Sequence, residues 1–121
     1  MSFCERLWKI NRLNVIHSMM REIYYGEFRL VLIQHICEVD AGNPAYQSTE
    51  WFLLRYLKRI EKTAEPPASP GRVENSMRAL IRFYVDMIEE QSQLGERCRM
   101  INEEYRKTLR IRQEQNNKGQ S

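Results

Sequence analysis

The sequence predicts an all-α protein, a compact bundle of about four to six helices with a long final helix that can project from it. Three observations lead there. Apolar residues recur every three to four positions along most of the chain, the spacing that lines one face of an α-helix. Four Pro and five Gly in 121 residues are too few for an all-β chain, whose turns need such residues about every ten positions. Three of the four prolines, Pro66, Pro67 and Pro70, also fall together, which leaves long stretches on either side without a helix breaker. With 42% apolar residues, one domain of this length can bury a core without metals or disulfides.

Each element follows in order. From Phe3 to Ile23 the residues Leu7, Ile10, Leu13, Ile16 or His17, Met20 and Ile23 keep helical spacing, with Glu5, Lys9, Arg12 and Arg21 between them. Gly26 is expected to end this helix in a left-handed conformation. From Glu27 to Val39 the apolar residues Phe28, Leu30, Val31, Leu32, Ile33 and Ile36 cover most of the helix circumference, which predicts the most buried element. The run Asp40-Ala41-Gly42-Asn43-Pro44 has the chemistry of a loop, with Gly42 open to positive φ.

Ser48 can cap a helix from Thr49 to Thr63, on which Leu53, Tyr56, Leu57 and Ile60 face inward and Arg55, Lys58, Arg59 and Lys62 face out. Ala64 to Gly71 reads as an extended linker, because proline lacks the amide donor a helix needs. A last helix from Asn75 or Ser76 carries a heptad-like seam of Leu80, Tyr84, Met87, Gln91, Leu94, Cys98, Ile101 and Tyr105. Unbroken it spans on the order of 55 Å, so its second half is expected to project or to pair, with Gly95 as hinge. The predicted organisation is a helical interaction domain over residues 1–95, a helical extension over 96–113 and a disordered polar tail over 114–121.

Chemistry narrows the function classes. Cys4, Cys37 and Cys98 form no CxxC pair, and their odd number fits reduced thiols inside the cell, in cytoplasm and nucleus. No apolar run approaches the roughly 18 residues of a membrane span, and the start MSFCERLWKINR places charges where a signal peptide needs its apolar stretch. His17 and His35 lie on different predicted helices and no second Cys or His pair completes a zinc site, so no metal or cofactor is expected. Glu89-Glu90 and Glu103-Glu104 are neighbours that diverge by about 100° on a helix and do not converge as an acid and a base must. No GxSxG, phosphate loop or HExxH occurs, and the expectation is a protein that is not an enzyme and takes no small-molecule substrate.

The net charge of +3 comes from 19 basic and 16 acidic residues with interleaved signs, which solvates a surface more than it builds a nucleic-acid footprint. The basic run Arg97, Arg99, Arg106, Lys107, Arg110 and Arg112 supports the alternative of a small adaptor that binds nucleic acid or an acidic partner, although Glu96, Glu103, Glu104 and Glu114 interrupt it. The seam, with Trp8, Trp51 and Phe83, exceeds what a minimal core needs, and such a surplus either meets a protein partner or is simply core.

The stretch MMREIYYGEFRLVLIQHI, Met19 to Ile36, resembles the start of the N-terminal domain of the signal transducers and activators of transcription, the STAT family. The shared pattern is E-φ-R-x-x-L-x-x-W-φ, with φ apolar; Glu27, Phe28, Arg29, Leu32 and Ile36 match, and His35 stands at the family's Trp. Met77, Glu89-Glu90 and Leu94 resemble the family's last N-domain helix, and Leu57-Lys58-Arg59-Ile60 resembles a basic-apolar helix before it. The segment between Ile36 and Leu57 is shorter than the family's. The resemblance implies an all-helical domain that pairs with its own kind, lets transcription-factor dimers bind neighbouring DNA sites cooperatively, and touches nucleic acid only indirectly. It carries over Leu32, His35, Ile36, Met77, Glu89, Glu90 and Leu94 as interaction residues. Arg29 on so apolar a helix requires a partner if buried, with Glu27, Glu38 and Glu89 as candidates.

Overall fold

The computed structural model describes residues 25–119, with side chains for residues 25–114. The predicted first helix from Phe3 to Ile23, with Trp8, Cys4 and His17, lies outside the described residues. The rest is four helices and, among the described residues, no strand: α1 Gly26–Ala41, α2 Thr49–Ala64, α3 Pro70–Met87 and α4 Gln93–Gly119.

Short turns join successive helices, which makes neighbours antiparallel. α1 packs on α2, α2 on α3, α3 on α4, and α4 returns to α1, so the four close into an up-and-down ring. Their inner faces supply one core: Phe28, Leu32 and Ile36 of α1, Leu53, Leu57 and Ile60 of α2, Val73, Met77 and Leu80 of α3, and Cys98, Ile101 and Tyr105 of α4.

α1 is the most enclosed helix, as its apolar circumference predicts: Phe28, Leu32 and Ile36 have no exposed surface. Gly26 does not end a preceding helix in a left-handed conformation; it is the first residue of α1 and is buried, and no described glycine has positive φ. In the loop after α1 the left-handed residues are Asn43 (φ 50°) and Gln47 (φ 61°), not Gly42. Asn tolerates this geometry because its short polar side chain bonds locally.

α2 begins as expected, with the Trp51 amide donating to Ser48 Oγ at 3.2 Å. It runs one residue further than predicted, to Ala64, which is fully buried. The proline-rich connection is correspondingly shorter. Pro70 and Gly71 form the first turn of α3, where proline's missing amide costs nothing because that amide has no helical partner. Across α2 and α3 the Thr63 hydroxyl donates to Ser76 Oγ (3.1 Å), and Ser76 donates on to the Arg72 carbonyl (3.1 Å).

The long final helix is two helices. α3 stops at Met87, and Ile88 leaves helical geometry at φ −115° and ψ 131°. Ser92 then starts α4: its Oγ accepts from the Gly95 amide (3.1 Å) and donates to the Glu89 carbonyl (2.6 Å). Gly95 is no hinge but a point of close approach. A Cβ there would stand 2.6 Å from the carbonyl oxygens of both Glu89 and Glu90, so only glycine lets the turn fold back this tightly. The seam is therefore bent double: Leu80, Cys98, Ile101 and Tyr105 meet inside one chain, while Met87 and Gln91 are exposed at the turn. Residues 96–108 belong to the bundle and are not an extension beside it. α4 continues past Gln113 to Gly119, so residues 114–119 of the expected tail are helical, and residues 120–121 lie outside the described residues.

Candidate interaction surface

The residues singled out from sequence divide into core and turn. Leu32, Ile36 and Met77 are core side chains with at most 1% exposure and offer no surface to a partner. Leu94 is half-buried against the same core. Glu89 and Glu90 are exposed in the α3–α4 turn, where their carbonyls accept from Ser92 and Arg99. Their backbone carbonyls shape the turn.

Arg29 is buried and paired, as its position on an apolar helix requires, but with none of the expected partners. Its Nη2 donates to Glu61 Oε1 at 2.8 Å, with the two side chains 2% and 9% exposed. Glu27 points to solvent in the first turn of α1. Glu38 pairs elsewhere and Glu89 lies in the distant turn. Glu61 escapes sequence reading because it sits on a helix otherwise rich in outward charges. Its one signal is spacing: it follows Leu54 and Leu57 at helical intervals on the buried stripe.

His35 stands inside a clasp between α1 and α4. Arg97 Nη1 lies 2.8 Å from His35 Nδ1 and donates to Glu38 Oε2 at 2.5 Å. A guanidinium has no acceptor, so His35 Nδ1 must accept and the ring must be neutral with its proton on Nε2. Burial, reinforced by the Arg97 charge and opposed by Glu38, holds the His35 pKa below the ordinary histidine range. The hydrogen bond from Arg97 holds Glu38 below the usual carboxylate range. His35 is thus turned inward, at 6% exposure, and offers little surface to a partner.

What does reach the surface is a chain of aromatic rings across the ends of α2 and α3. Tyr46 and Trp51 meet edge to face at 5.0 Å between centroids, Trp51 and Phe52 at 5.0 Å, Phe52 and Phe83 at 6.4 Å, and Tyr56 stacks on Phe83 at 4.8 Å. Phe83 is anchored in the core at 8% exposure, whereas Tyr46 is 75% exposed, Phe52 36% and nearby Met87 61%. Arg55 lies over the Trp51 ring at 4.9 Å, a cation–π contact that holds the indole in place. Tyr, Trp, Phe, Met and Arg are the residues enriched where proteins meet. Of the three aromatics named from sequence, Trp51 and Phe83 belong to this ladder.

The basic run of the last helix is partly committed inside the fold. Arg97 serves the His35–Glu38 clasp, and Arg99 donates to Glu96, to the Glu90 carbonyl and to Tyr84 Oη. Arg106, Lys107 and Arg110 are exposed beside Glu103 and Glu104.

Among the described residues no group of three His, Cys, Asp or Glu side chains is placed to hold a metal ion, and no helix is long and apolar enough to cross a membrane. A depression of about 610 Å³ between α1 and α4 is an open charged groove around Glu38, Arg97, Glu103 and Glu104. Comparison of the chain with protein-family models, curated proteins and solved structures found no match.

Proposed function

We propose that this chain is a helical protein-interaction module that pairs with a second copy of itself through the aromatic surface of α2 and α3. The observation that carries the reading is the ring ladder from Tyr46 to Tyr56, which leaves Tyr46, Phe52 and Met87 in water although the fold has a complete core without them. Apolar surface of this composition is characteristic of contact sites. The resemblance of the Glu27 to Ile36 stretch to STAT N-terminal domains supports a role in transcriptional signalling, in cytoplasm and nucleus, and that extension rests on the motif alone.

The pairing is weak by its size. An aromatic side chain offers on the order of 150–250 Å², and these rings already spend part of that area on one another. A patch of a few hundred Å² falls short of the roughly 800 Å² per partner of a standard interface. Even weak pairing is sufficient to couple neighbouring assemblies by about 1–3 kcal/mol. The test is sedimentation equilibrium up to about 1 mM protein: reversible dimer is expected, with Phe52→Ala shifting the midpoint at least tenfold toward monomer. Monomer at every concentration, or a dimer indifferent to Phe52→Ala, overturns the reading.

The adaptor alternative, in which the last helix binds nucleic acid, draws support only from Arg106, Lys107 and Arg110. Glu103 and Glu104 beside them reduce the field that phosphate binding needs.

A further inference from the structure

The connection between α2 and α3, with the first turn of α3, reads AEPPASPGR from Ala64 to Arg72. Of the four prolines in the chain, three follow Asn43, Glu65 and Pro66, and only Pro70 follows a hydroxyl residue. Ser69-Pro70 is therefore the one Ser/Thr-Pro step in the sequence, and Arg72 stands three positions after the serine. Serine, proline, any residue and then a base is the short sequence that cyclin-dependent, proline-directed kinases read. Proline in the next position brings no amide hydrogen to be left unpaired in the kinase cleft. A base in the third position pairs with negative charge there.

The fold presents this serine to an enzyme. Glu65, Pro66, Pro67 and Ser69 are exposed, as are Gly71 and Arg72 beyond them. Glu65 (φ −67°, ψ 134°) and Ser69 (φ −97°, ψ 119°) are extended, the backbone form in which a peptide lies in a kinase cleft. Ser69 occupies the N-cap position of α3 but makes no capping bond with its side chain, whereas Ser48 Oγ accepts from the Trp51 amide at the start of α2. The Ser69 hydroxyl is thus not spent on holding the helix.

Gly71 bears on the same point. A Cβ there would meet nothing within 4 Å, and its φ is not positive, so neither packing nor backbone geometry asks for glycine. Its effect is to lower the helix propensity of the first turn. Pro70, Gly71 and Arg72 must leave helical geometry to lie extended in a cleft, and none of the three is buried. A helix end with few buried contacts opens at low cost.

We infer that Ser69 is a phosphoryl-acceptor site for a proline-directed serine/threonine kinase that reads Pro70 and Arg72. In the transfer, Ser69 Oγ attacks the γ-phosphorus of the ATP that the kinase holds with magnesium. The Oγ–P bond forms as the bond from that phosphorus to the β,γ-bridging oxygen breaks, the hydroxyl proton passes to the kinase's catalytic carboxylate, and ADP leaves. The fold accommodates the product. A phosphate with a charge of about −1.5 to −2 stands in solvent at the start of α3, where the helix dipole favours an anion and Arg72 lies one turn on. It takes the net charge of the chain from +3 to about +1. Trp51 and Phe52 lie at the start of α2 and Phe83 near the end of α3, so the site is at the far end of this helix pair from the aromatic surface and is independent of self-pairing.

The experiment is phosphorylation of the folded full chain by a cyclin-dependent kinase with magnesium and ATP, read by intact mass and by fragmentation that locates the group. One phosphoryl group on Ser69 is expected, and none on Ser69→Ala. Arg72→Ala should lower the kcat/KM of the kinase about tenfold or more. Both side chains are exposed, so circular dichroism should show each variant folded as the parent. A synthetic peptide of residues 64–75 supplies the unfolded reference.

A full chain left unmodified while the peptide is phosphorylated shows that the fold hides Ser69 and overturns the inference. Transfer to neither, transfer to other residues with Ser69 bare, or indifference to Arg72→Ala overturns it as well. Failure of the self-pairing proposal appears separately, as insensitivity of the dimer to Phe52→Ala.

Discussion

Replacing Arg29 by methionine tests the polar link that ties α1 to α2. The substitution keeps an unbranched side chain of similar length but strands the Glu61 carboxylate, which is 9% exposed and accepts a 2.8 Å hydrogen bond from Arg29. Breaking a buried pair from one side costs about 3–5 kcal/mol, because the remaining charge stays out of water without a counter-charge. At roughly 0.05–0.15 kcal/mol per residue, 121 residues have a stability on the order of 6–18 kcal/mol. The single change therefore removes a large share of it, and the melting temperature should fall by about 10–20 °C.

Glu61→Leu should cost as much for the mirror-image reason, a guanidinium at 2% exposure with no carboxylate. The double variant behaves differently. Arg29 Nε and Nη1 have no hydrogen-bond partner among the described residues, and an unsatisfied buried donor costs about 1–3 kcal/mol. Removing both charges removes that cost, so Arg29→Met with Glu61→Leu should return to within about 1 kcal/mol of the parent or exceed it. Urea denaturation followed by circular dichroism measures all four proteins. A loss below about 1 kcal/mol for Arg29→Met, or a double variant as unstable as the two losses added, refutes the reasoning.

Three further outcomes follow. Gly95→Ala should destabilise by about 1–3 kcal/mol in the same denaturation assay, since the 2.6 Å approach of its Cβ to the Glu89 and Glu90 carbonyls outweighs the roughly 1 kcal/mol by which alanine favours a helix. His35 should make stability fall as pH drops. Its folded pKa is depressed, so the unfolded chain takes up the proton first, near pH 6.5, and the loss grows until the folded ring protonates too. Melting temperatures between about pH 5 and 8 should show this slope in the parent and not in His35→Gln, and parallel curves would contradict the clasp with Arg97. In a Cys4→Ser background, a thiol-reactive dye at about pH 8 should label half-buried Cys37 well before Cys98, whose 5% exposure and pKa near 11, raised by burial, keep it protonated and covered. Equal rates would show that α4 opens readily.

The helical class, the enclosure of α1, the Ser48 cap and the inward stripe of α2 were legible from residues because each follows from local periodicity or a short-range hydrogen bond, whereas of the seam read for α3 only Leu80 is buried. Even the break at residues 88–92 left a local trace in Ser92, a capping residue three positions before Gly95. That trace was outweighed by a heptad pattern that runs through the turn. A seam of period 3.5 reads alike whether a helix meets a partner or folds back on itself, and only the bend decides which.

What tertiary structure alone decided are the pairings between distant residues. Arg29 finds Glu61, 32 positions away, and Arg97 finds His35 at 62, because the up-and-down ring brings those helix faces together. The same closure puts Leu32, Ile36 and Met77 inside and leaves Phe52, Ile81 and Val85 outside. Periodicity states that a helix has an apolar face, but an apolar residue near the edge of that face is core or surface according to how closely the neighbouring helix approaches, and that distance is set by the packing of all four.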